Sequence, residues 1–357
     1  MVPSNHSFKS AFWPNFAVYP RTAIEHARDQ VATLLHCEPV EIVFTSGGTE
    51  ANNSALAGVF FSKQRSDAPH FIISSVEHPS IAKTCAFLER LGAQVTQVPV
   101  DRFGRVDPGE VRQAMRPDTA LVSVVHANNE VGTIQPIAEI ATIAREHGVL
   151  MHSDAAQSVG KLPVSVRDLG VDLLTVAGHK MYAPQGVGAL FVRNGVVLEP
   201  LLHGAGHESG RRAGTENVLE IVGLGAACDL ADHRMNVSAM TALRDHFWQR
   251  LCERFGERVV LNGHPHQRLP NTLNVSFPNH YGHEILSRIS GLAASTGSAC
   301  HEGSHQLSPV LRAMGVPEPV GLGAIRFSLG RNSTYDHVET VVAELAKVMA
   351  HSAVEPK

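Results

Sequence analysis

The sequence contains no run of about 18 consecutive apolar residues, the length that a membrane-spanning helix requires. Residues 1–6 also lack the basic and then apolar segments of a signal peptide. Lysine and arginine are scattered along the chain and the formal net charge is −4, so the basic stripe of a nucleic-acid-binding protein is absent. We therefore predict a cytoplasmic protein whose partners are small metabolites or other proteins, with no membrane and no nucleic acid.

Cysteines are few, and their number is odd. Five of them are spread over 357 residues in no paired spacing, which excludes a complete set of intrachain disulfides and favours a reducing compartment. The chain has 21 histidines, including the close pairs His203 with His207 and His264 with His266. Both pairs lie in loops that contain Gly or Pro, without acidic or thiol ligands at a known metal spacing. We predict no metal site.

Between residues 40 and 195, short β-branched runs alternate with longer amphipathic segments. The predicted strands are 41–44, 71–74, 95–98, 121–125, 149–152, 173–176 and 187–192. The predicted helices are 49–61, 80–91, 108–115 and 137–147. This alternation predicts an α/β fold with a mostly parallel sheet sandwiched by helices.

The pattern changes after residue 193. A Gly-rich loop at 203–214 precedes a long helical stretch at 217–255, and further strands and a closing helix follow at 273–277, 324–328 and 334–351. We therefore predict a smaller C-terminal α/β domain. The domain prediction is an irregular segment 1–20, a large domain 21–225 that binds the cofactor, and a small domain 226–357 that carries Cys300.

Polar side chains follow several predicted strands, where a parallel sheet presents its ligand-binding edge. Lys180 comes just after the strand ending near Val176, and a lysine there can form a Schiff base with an aldehyde. The segment 45–50 is rich in Gly and opens a helix, which suits a phosphate, although a plain helix cap at Thr49 also fits. Asp154 can hold a pyridinium nitrogen protonated, although it also fits a turn cap.

A phosphate-binding turn, an imidazole, a carboxylate, an amide and a lysine at successive strand ends are what pyridoxal phosphate requires. The segments 45–53, 128–136 and 298–300, and their order, resemble the class V aminotransferase family, and within it the NifS-like cysteine desulfurases. The resemblance extends from about Arg21 to His351. It implies the fold of type I pyridoxal-phosphate enzymes.

The resemblance also implies roles for single residues. Lys180 matches the lysine that binds the cofactor covalently, and Asp154 matches the partner of the pyridine nitrogen. Gln157 is similar to the amide that contacts the phenolic oxygen. His78 resembles the imidazole stacked on the ring, and Lys180 or His78 is expected to move protons.

Phosphate and substrate contacts follow from the same resemblance. Thr215 matches a phosphate ligand that the family supplies from the neighbouring subunit, which implies a homodimer. Asn129 and Arg326 match groups that hold the substrate amino acid, and a guanidinium suits a carboxylate because it can form two parallel hydrogen bonds. Asn129 is also expected beside the cofactor. The remaining phosphate contacts implied by the resemblance are Gly48, Thr49 and His179.

Cys300 lies in a loop of small and polar residues, 295–304, where a thiol is exposed and can ionise. The resemblance implies that its thiolate attacks the sulfur of L-cysteine, leaves L-alanine and passes a persulfide to a sulfur-acceptor protein, for example in iron–sulfur cluster assembly. A selenocysteine lyase, another C–S lyase that uses the same cofactor, and a non-catalytic binding relative are the alternatives.

Three features depart from the family pattern. Nothing before Arg21 matches the first strand of the relatives, and Ala177 stands where many relatives carry a serine that donates to the phosphate. The loop after Cys300 is longer than in typical desulfurases. The loop and Ala177 together are reminiscent of selenocysteine lyases, so L-selenocysteine stays open as a substrate.

Overall fold

The computed structural model describes residues 18–62, 68–297 and 306–351. The strands are β1 (Ile42–Thr45), β2 (His70–Ser74), β3 (Gln94–Val98), β4 (Thr119–Ser123), β5 (Leu150–Asp154), β6 (Leu173–Ala177), β7 (Gly188–Val192), β8 (Val260–Asn262), β9 (Thr272–Ser276) and β10 (Ala324–Ser328). The helices are α1 (Val18–Leu35), α2 (Gly48–Phe61), α3 (Pro79–Glu89), α4 (Pro108–Ala114), α5 (Ile137–Glu146), α6 (Val166–Leu169), α7 (Val218–Arg234), α8 (Val237–Phe255), α9 (Gly282–Ser287), α10 (Pro309–Ala313), α11 (Glu318–Gly321) and α12 (Tyr335–His351). Within the described ranges, no helix is both long and apolar enough to span a bilayer. Most of the predicted irregular segment 1–20 lies outside these ranges, and its last three residues begin α1.

The larger sheet has seven strands in the order β1-β7-β6-β5-β4-β2-β3. β2 pairs parallel with β3 and β4, and β5 pairs parallel with β6, whereas β7 pairs antiparallel with β1 and β6. Nearly continuous apolar runs such as Phe71, Ile72 and Ile73, all fully buried, are typical of strands covered on both faces. A mostly parallel sheet flanked by helices confirms the predicted α/β fold class.

The chain divides into two compact units by the density of its internal contacts. The first comprises Met1–Asp67 with Leu150–Met235, and the second comprises Ala68–Val149 with Asn236–Lys357. The first unit contains β1, β5, β6 and β7, and the second contains β2, β3 and β4 together with the smaller sheet.

The first unit places three strand ends along one edge. β1 and β6 both run antiparallel to β7, and Thr45 and Ala177 both lie opposite Gly188. β5 runs parallel to β6, with Asp154 opposite Thr175. The carboxyl ends of β1, β5 and β6 therefore lie at the same edge of the sheet, where ligands bind in this class of fold.

The smaller sheet of the second unit is antiparallel, in the order β10-β9-β8. Its core includes two aromatic pairs, Phe247 with Phe327 and Phe255 with Phe277, with ring centroids 4.9 and 5.3 Å apart. The predicted helical stretch 217–255 is interrupted, because the Asn236 side chain accepts a 2.9 Å hydrogen bond from the Ala239 N–H and so starts a new helix, α8.

Candidate functional site

The turn from β1 into α2 has the backbone geometry that suits an anion. Gly47 has φ 142°, a conformation that favours glycine, and it precedes the helix without any side-chain cap, so the first-turn N–H groups of α2 remain available to a ligand. A Cβ on Gly48 would come within 3.1 Å of the Ala177 Cβ at the end of β6, so only glycine fits comfortably there. Thr49 lies exposed in the first turn of the helix and is not its N-cap.

Asp154 ends β5 and is 4% exposed. Its Oδ2 accepts a 2.7 Å hydrogen bond from Asn52 Nδ2, and its Oδ1 accepts one of 2.9 Å from the Ala156 N–H. Each carboxylate oxygen is therefore held by a donor of the protein, which fixes the orientation of the group. A buried, oriented carboxylate of this kind suits a partner that carries an N–H and a positive charge.

Lys180 follows the end of β6 by three residues, in a 3₁₀ turn that spans Gly178–Met181. Gly178 is required in this turn, because a Cβ there would approach the Val187 carbonyl oxygen to 2.8 Å. The side chain of Lys180 is exposed, as is that of His179. Partial burial and the positive charges of Lys180 and Lys161 lower the pKa of His179, so the imidazole is kept neutral beside the lysine.

Gln157 is half-buried in the turn after β5, and its Oε1 accepts a 3.0 Å hydrogen bond from Lys161 Nζ. Lys161 is therefore linked to two of the predicted site residues, Gln157 and His179. Sequence reasoning missed Lys161. In a turn, a spacing of four residues from Gln157 only weakly indicates that the two side chains are in contact.

His78 is the N-cap of α3. Its Nδ1 accepts a 3.2 Å hydrogen bond from the Ser80 N–H and lies 2.7 Å from Ser80 Oγ. Because Nδ1 accepts, the proton of the neutral ring is assigned to Nε2, which leaves a defined tautomer for proton transfer.

Arg326 and Asn129 are in direct contact within the second unit. Arg326 Nη1 donates a 2.8 Å hydrogen bond to the Asn129 carbonyl oxygen. Burial lowers the pKa of Arg326, and the negative charge of Glu130 partly offsets this effect. The Nε atom of Arg326 is buried and has no hydrogen-bond partner in the part of the chain that the structure describes. The guanidinium therefore retains donor capacity for a carboxylate ligand.

Thr215 is exposed in the loop before α7. Arg212, three residues earlier, donates to both carboxylate oxygens of Glu50, at 2.9 and 3.2 Å. Glu50 also accepts a 2.8 Å hydrogen bond from the Ser46 N–H, so this ion pair ties the Thr215 loop to the β1–α2 turn of the same chain.

The structure thus brings one set of predicted residues to a single edge of the first unit: Gly48, Thr49, Asp154, Gln157, His179 and Lys180. It brings Asn129 and Arg326 together in the second unit, which also contains His78. Cys300 and the segment 298–300 lie outside the described residues. A glycine turn with free N–H groups, an oriented acid and a nearby lysine match the phosphate, ring nitrogen and aldehyde of pyridoxal phosphate, so the residues present fit that cofactor.

The Aminotransferase class-V family model matches residues 14–341. The chain belongs to this family. A relative named Cysteine desulfurase IscS, from Dictyoglomus turgidum, is 45% identical over 345 residues, which covers 94% of this chain and 87% of the relative. The resemblance predicted from the sequence motifs is confirmed.

Solved structures of class V relatives agree with this assignment. One described as a NifS-like protein has a TM-score of 0.86 and 35% identity, covering 94% of this chain and 89% of its own. Another, described as SspA in complex with cysteine, has a TM-score of 0.78 and 36% identity, covering 91% of this chain and 94% of its own. The predicted fold family is confirmed as well.

Proposed function

We propose that this class V protein is a pyridoxal-phosphate-dependent cysteine desulfurase that converts L-cysteine to L-alanine. The observation that carries the proposal is the placement of Lys180, Asp154 and the Gly48 turn along one sheet edge in a chain that is 45% identical to a cysteine desulfurase over nearly its whole length. The family and this relative confirm that the protein is an enzyme and that pyridoxal phosphate is its cofactor.

The cofactor, when bound, supplies an electron sink for the substrate. The residues of this chain then have separate tasks. Asp154 would hold the ring nitrogen, and Lys180 would anchor the cofactor covalently and, with His78, move the proton at the substrate Cα. Gln157 would contact the phenolic oxygen. The residues that would bind the phosphate are Gly48, Thr49 and His179.

The substrate is held by its carboxylate. Arg326 suits this role because its Nε has no hydrogen-bond partner among the described residues, and its contact with the Asn129 carbonyl orients the guanidinium. In the sulfur-transfer step, the Cys300 thiolate attacks the substrate sulfur, an S–S bond forms, and the C–S bond breaks to leave alanine. The resulting persulfide passes to an acceptor protein, and iron–sulfur cluster assembly is the process we propose, in keeping with the IscS-named relative.

A homodimer in which Thr215 reaches the phosphate of the neighbouring subunit, and a cytoplasmic location, belong to the same proposal. The exposure of Thr215 and of Leu219, which is 83% exposed, supports a subunit contact at this surface. The division into a large domain 21–225 and a small domain 226–357 is also retained as a proposal.

The test is turnover of L-cysteine by the purified protein in the presence of a thiol reductant, with alanine and sulfide both measured. We expect equal amounts of the two products and a visible cofactor band. Cys300→Ser should abolish sulfide release while keeping the band, whereas the matched variant Cys252→Ser should behave like the wild type. If borohydride treatment of cofactor-loaded protein leaves Lys180 unmodified by mass spectrometry, the proposal is wrong.

Selenocysteine lyase is the second candidate. Ala177 favours it, because this buried methyl group faces Gly48 at the phosphate turn where many relatives carry serine. Rates with L-cysteine and L-selenocysteine, measured side by side in wild type and in Cys300→Ser, separate the two activities. If the protein turns over L-selenocysteine but not L-cysteine, and does so without Cys300, then it is a selenocysteine lyase and not a desulfurase.

A further inference from the structure

Glu130 is a buried acid that none of the roles above uses. The residue is 2% exposed and lies in the turn after β4. Its backbone is fixed on both sides, because its N–H donates to Asn128 Oδ1 at 2.8 Å and its carbonyl accepts from Asn274 Nδ2 at 3.1 Å. A buried carboxylate is costly unless it is paired, so its surroundings require an explanation.

One oxygen of this carboxylate has no hydrogen-bond partner among the described residues. Glu130 Oε1 is buried and accepts no hydrogen bond from any residue in those ranges. Gly297 lies against the same group, because a Cβ there would stand 3.8 Å from Oε1.

The neighbouring cation is Arg326. No ion pair within 4.0 Å joins Glu130 and Arg326 in the described part of the chain, yet each affects the titration of the other. β10 brings Arg326 opposite Asn274 of β9, and Asn274 holds the Glu130 backbone. Arg326 Nη1 also donates to the carbonyl of Asn129, the residue before Glu130, so the guanidinium lies beside the turn that carries this acid.

Three influences act on Glu130 from the elements packed around it. Burial raises the pKa of Glu130 to about 6, while a hydrogen bond from Ser308 at the start of α10 and the charge of Arg326 lower it. Among the described residues, Arg326 is the one charged group that acts on this carboxylate. Any ligand that neutralises Arg326 therefore removes the main charge that keeps Glu130 ionised.

We propose that Glu130 is a positioning residue that couples capture of the amino-acid carboxylate at Arg326 to uptake of a proton. The proposal rests on the proposed function, in which Arg326 binds that carboxylate. A second negative charge beside the same guanidinium favours protonation of Glu130. An ionised Glu130 must either take up a proton or repel the carboxylate of the ligand. The affinity for that carboxylate therefore falls as the pH rises through and above the pKa that Glu130 has in the ligand-free enzyme.

The experiment compares two ligands that bind the cofactor-loaded enzyme without sulfur chemistry. L-alanine carries the carboxylate and L-alaninamide lacks it. The dissociation constant of L-alanine divided by that of L-alaninamide, corrected for the ionisation of each amine, therefore isolates the contribution of the carboxylate to binding. We expect this ratio to rise about three- to thirtyfold from pH 5.5 to pH 8 in the wild type, the scale of two nearby unit charges in a partly buried site. In Glu130→Gln the ratio should be flat, with tighter L-alanine binding at pH 8.

Calorimetry supplies a readout that a merely structural role would not change. Titration of L-alanine in buffers of different ionisation enthalpy should show up to one more proton taken up by the wild type than by Glu130→Gln between about pH 6 and 7.5, because proton exchange at the ligand amine is common to both. The matched control is Glu139→Gln, an exposed acid in the same unit, which should keep the wild-type uptake. Equal uptake in wild type and Glu130→Gln would overturn the proposal.

Three further variants strengthen the test. Ser308→Ala removes a hydrogen bond that stabilises the ionised carboxylate, so the proton-uptake window should move to higher pH, and Ser308→Thr should restore it. If Ser308→Ala leaves the window in place, Glu130 is not the titrating group. If Arg326→Gln leaves L-alanine affinity unchanged, then the proposed substrate site is itself wrong, which separates that failure from a failure of the coupling.

Discussion

The amide of Asn52 donates a 2.7 Å hydrogen bond to the carboxylate of Asp154, and both side chains are buried. The two residues are 102 positions apart in sequence, one on α2 and the other at the end of β5. The helix whose first turn is proposed to bind the phosphate therefore also orients the acid proposed to hold the pyridine nitrogen. In this proposal, one element contacts both ends of the cofactor.

Replacing Asn52 by alanine should weaken cofactor binding. A hydrogen bond to a charged group contributes about 1.5–3 kcal/mol, so the dissociation constant of pyridoxal phosphate should rise roughly ten- to a hundredfold. The measurement is titration of apoprotein by cofactor absorbance. Asn53→Ala is the control, because its side chain bonds only the Thr49 carbonyl of its own helix, at 2.8 Å. Equal affinity in the two variants would contradict a role for Asn52.

The strands were predictable because their signal is local. The buried aliphatic runs of β2, β6 and β7 coincide with the predicted strands to within one residue at each end, as expected for strands covered on both faces. β8 was missed because it has three residues and only its last, Asn262, is buried. Helix α1 was missed because its buried face includes Arg28, a charged residue that interrupts the apolar periodicity of Ile24, Ala27 and Val31.

Only those parts of the site that are formed by residues adjacent in sequence could be predicted. The glycine turn and the lysine after β6 can be identified from neighbouring residues, whereas contacts between distant residues leave no local signal. Arg28 and Glu208, 180 positions apart, form such a contact, and so do Arg326 and the Asn129 carbonyl, 197 positions apart. The break before α8 is different, because Asn236 is a favourable N-cap residue from which the start of this helix could have been predicted.

Breaking the buried ion pair of Arg28 and Glu208 should destabilise the protein strongly. Glu208 accepts from Arg28 Nη1 and Nη2 at 2.9 and 2.8 Å and from the Phe44 N–H at 2.9 Å, and its side chain is 3% exposed. Glu208→Gln leaves the Arg28 charge buried with a mismatched partner, so the free energy of unfolding should fall by about 3–5 kcal/mol.

Urea denaturation measures this loss, and Glu25 provides the control. Glu25 also pairs with Arg28, at 3.3 Å, but it is 56% exposed. Glu25→Gln should cost less than about 1 kcal/mol, as is usual for a solvated pair. Similar losses in both variants would show that the buried geometry of Glu208 does not matter.

Two buried histidines should make the protein sensitive to acid. Burial lowers the pKa of His126 to about 4 and that of His152 to about 3. Both are neutral in the folded state, whereas the unfolded chain binds a proton at each below its ordinary pKa of about 6.5. The contribution of each histidine to the free energy of unfolding should therefore fall, by up to about 1.4 kcal/mol per pH unit, as the pH drops below 6.5 toward the folded-state pKa.

The check is the pH dependence of urea unfolding between pH 7 and pH 4.5. His152→Gln should reduce the slope of the free energy of unfolding against pH by an amount that corresponds to up to about one proton. His233→Gln, at an exposed position, should not reduce the acid-induced loss, because the pKa of His233 is raised by its hydrogen bond to Asp229 and its contribution has the opposite sign. Glu130, whose pKa is raised, also acts in the opposite direction, between about pH 4.5 and 6. An unchanged slope in His152→Gln would contradict the assignment.

Restoring the hydroxyl group that many relatives carry at position 177 should strengthen cofactor binding. Ala177 ends β6, and its Cβ lies 3.1 Å from where a Cβ on Gly48 would stand, so a serine hydroxyl at this position would face the start of α2. One added neutral hydrogen bond contributes about 0.5–1.5 kcal/mol, so Ala177→Ser should lower the dissociation constant of pyridoxal phosphate about two- to tenfold. Ala183→Ser is the control, because Ala183 faces Gly178 on the other side of the lysine turn. Weaker binding in Ala177→Ser than in the wild type would mean that the phosphate does not lie against this strand end, and the cofactor would then have to be placed elsewhere along the sheet.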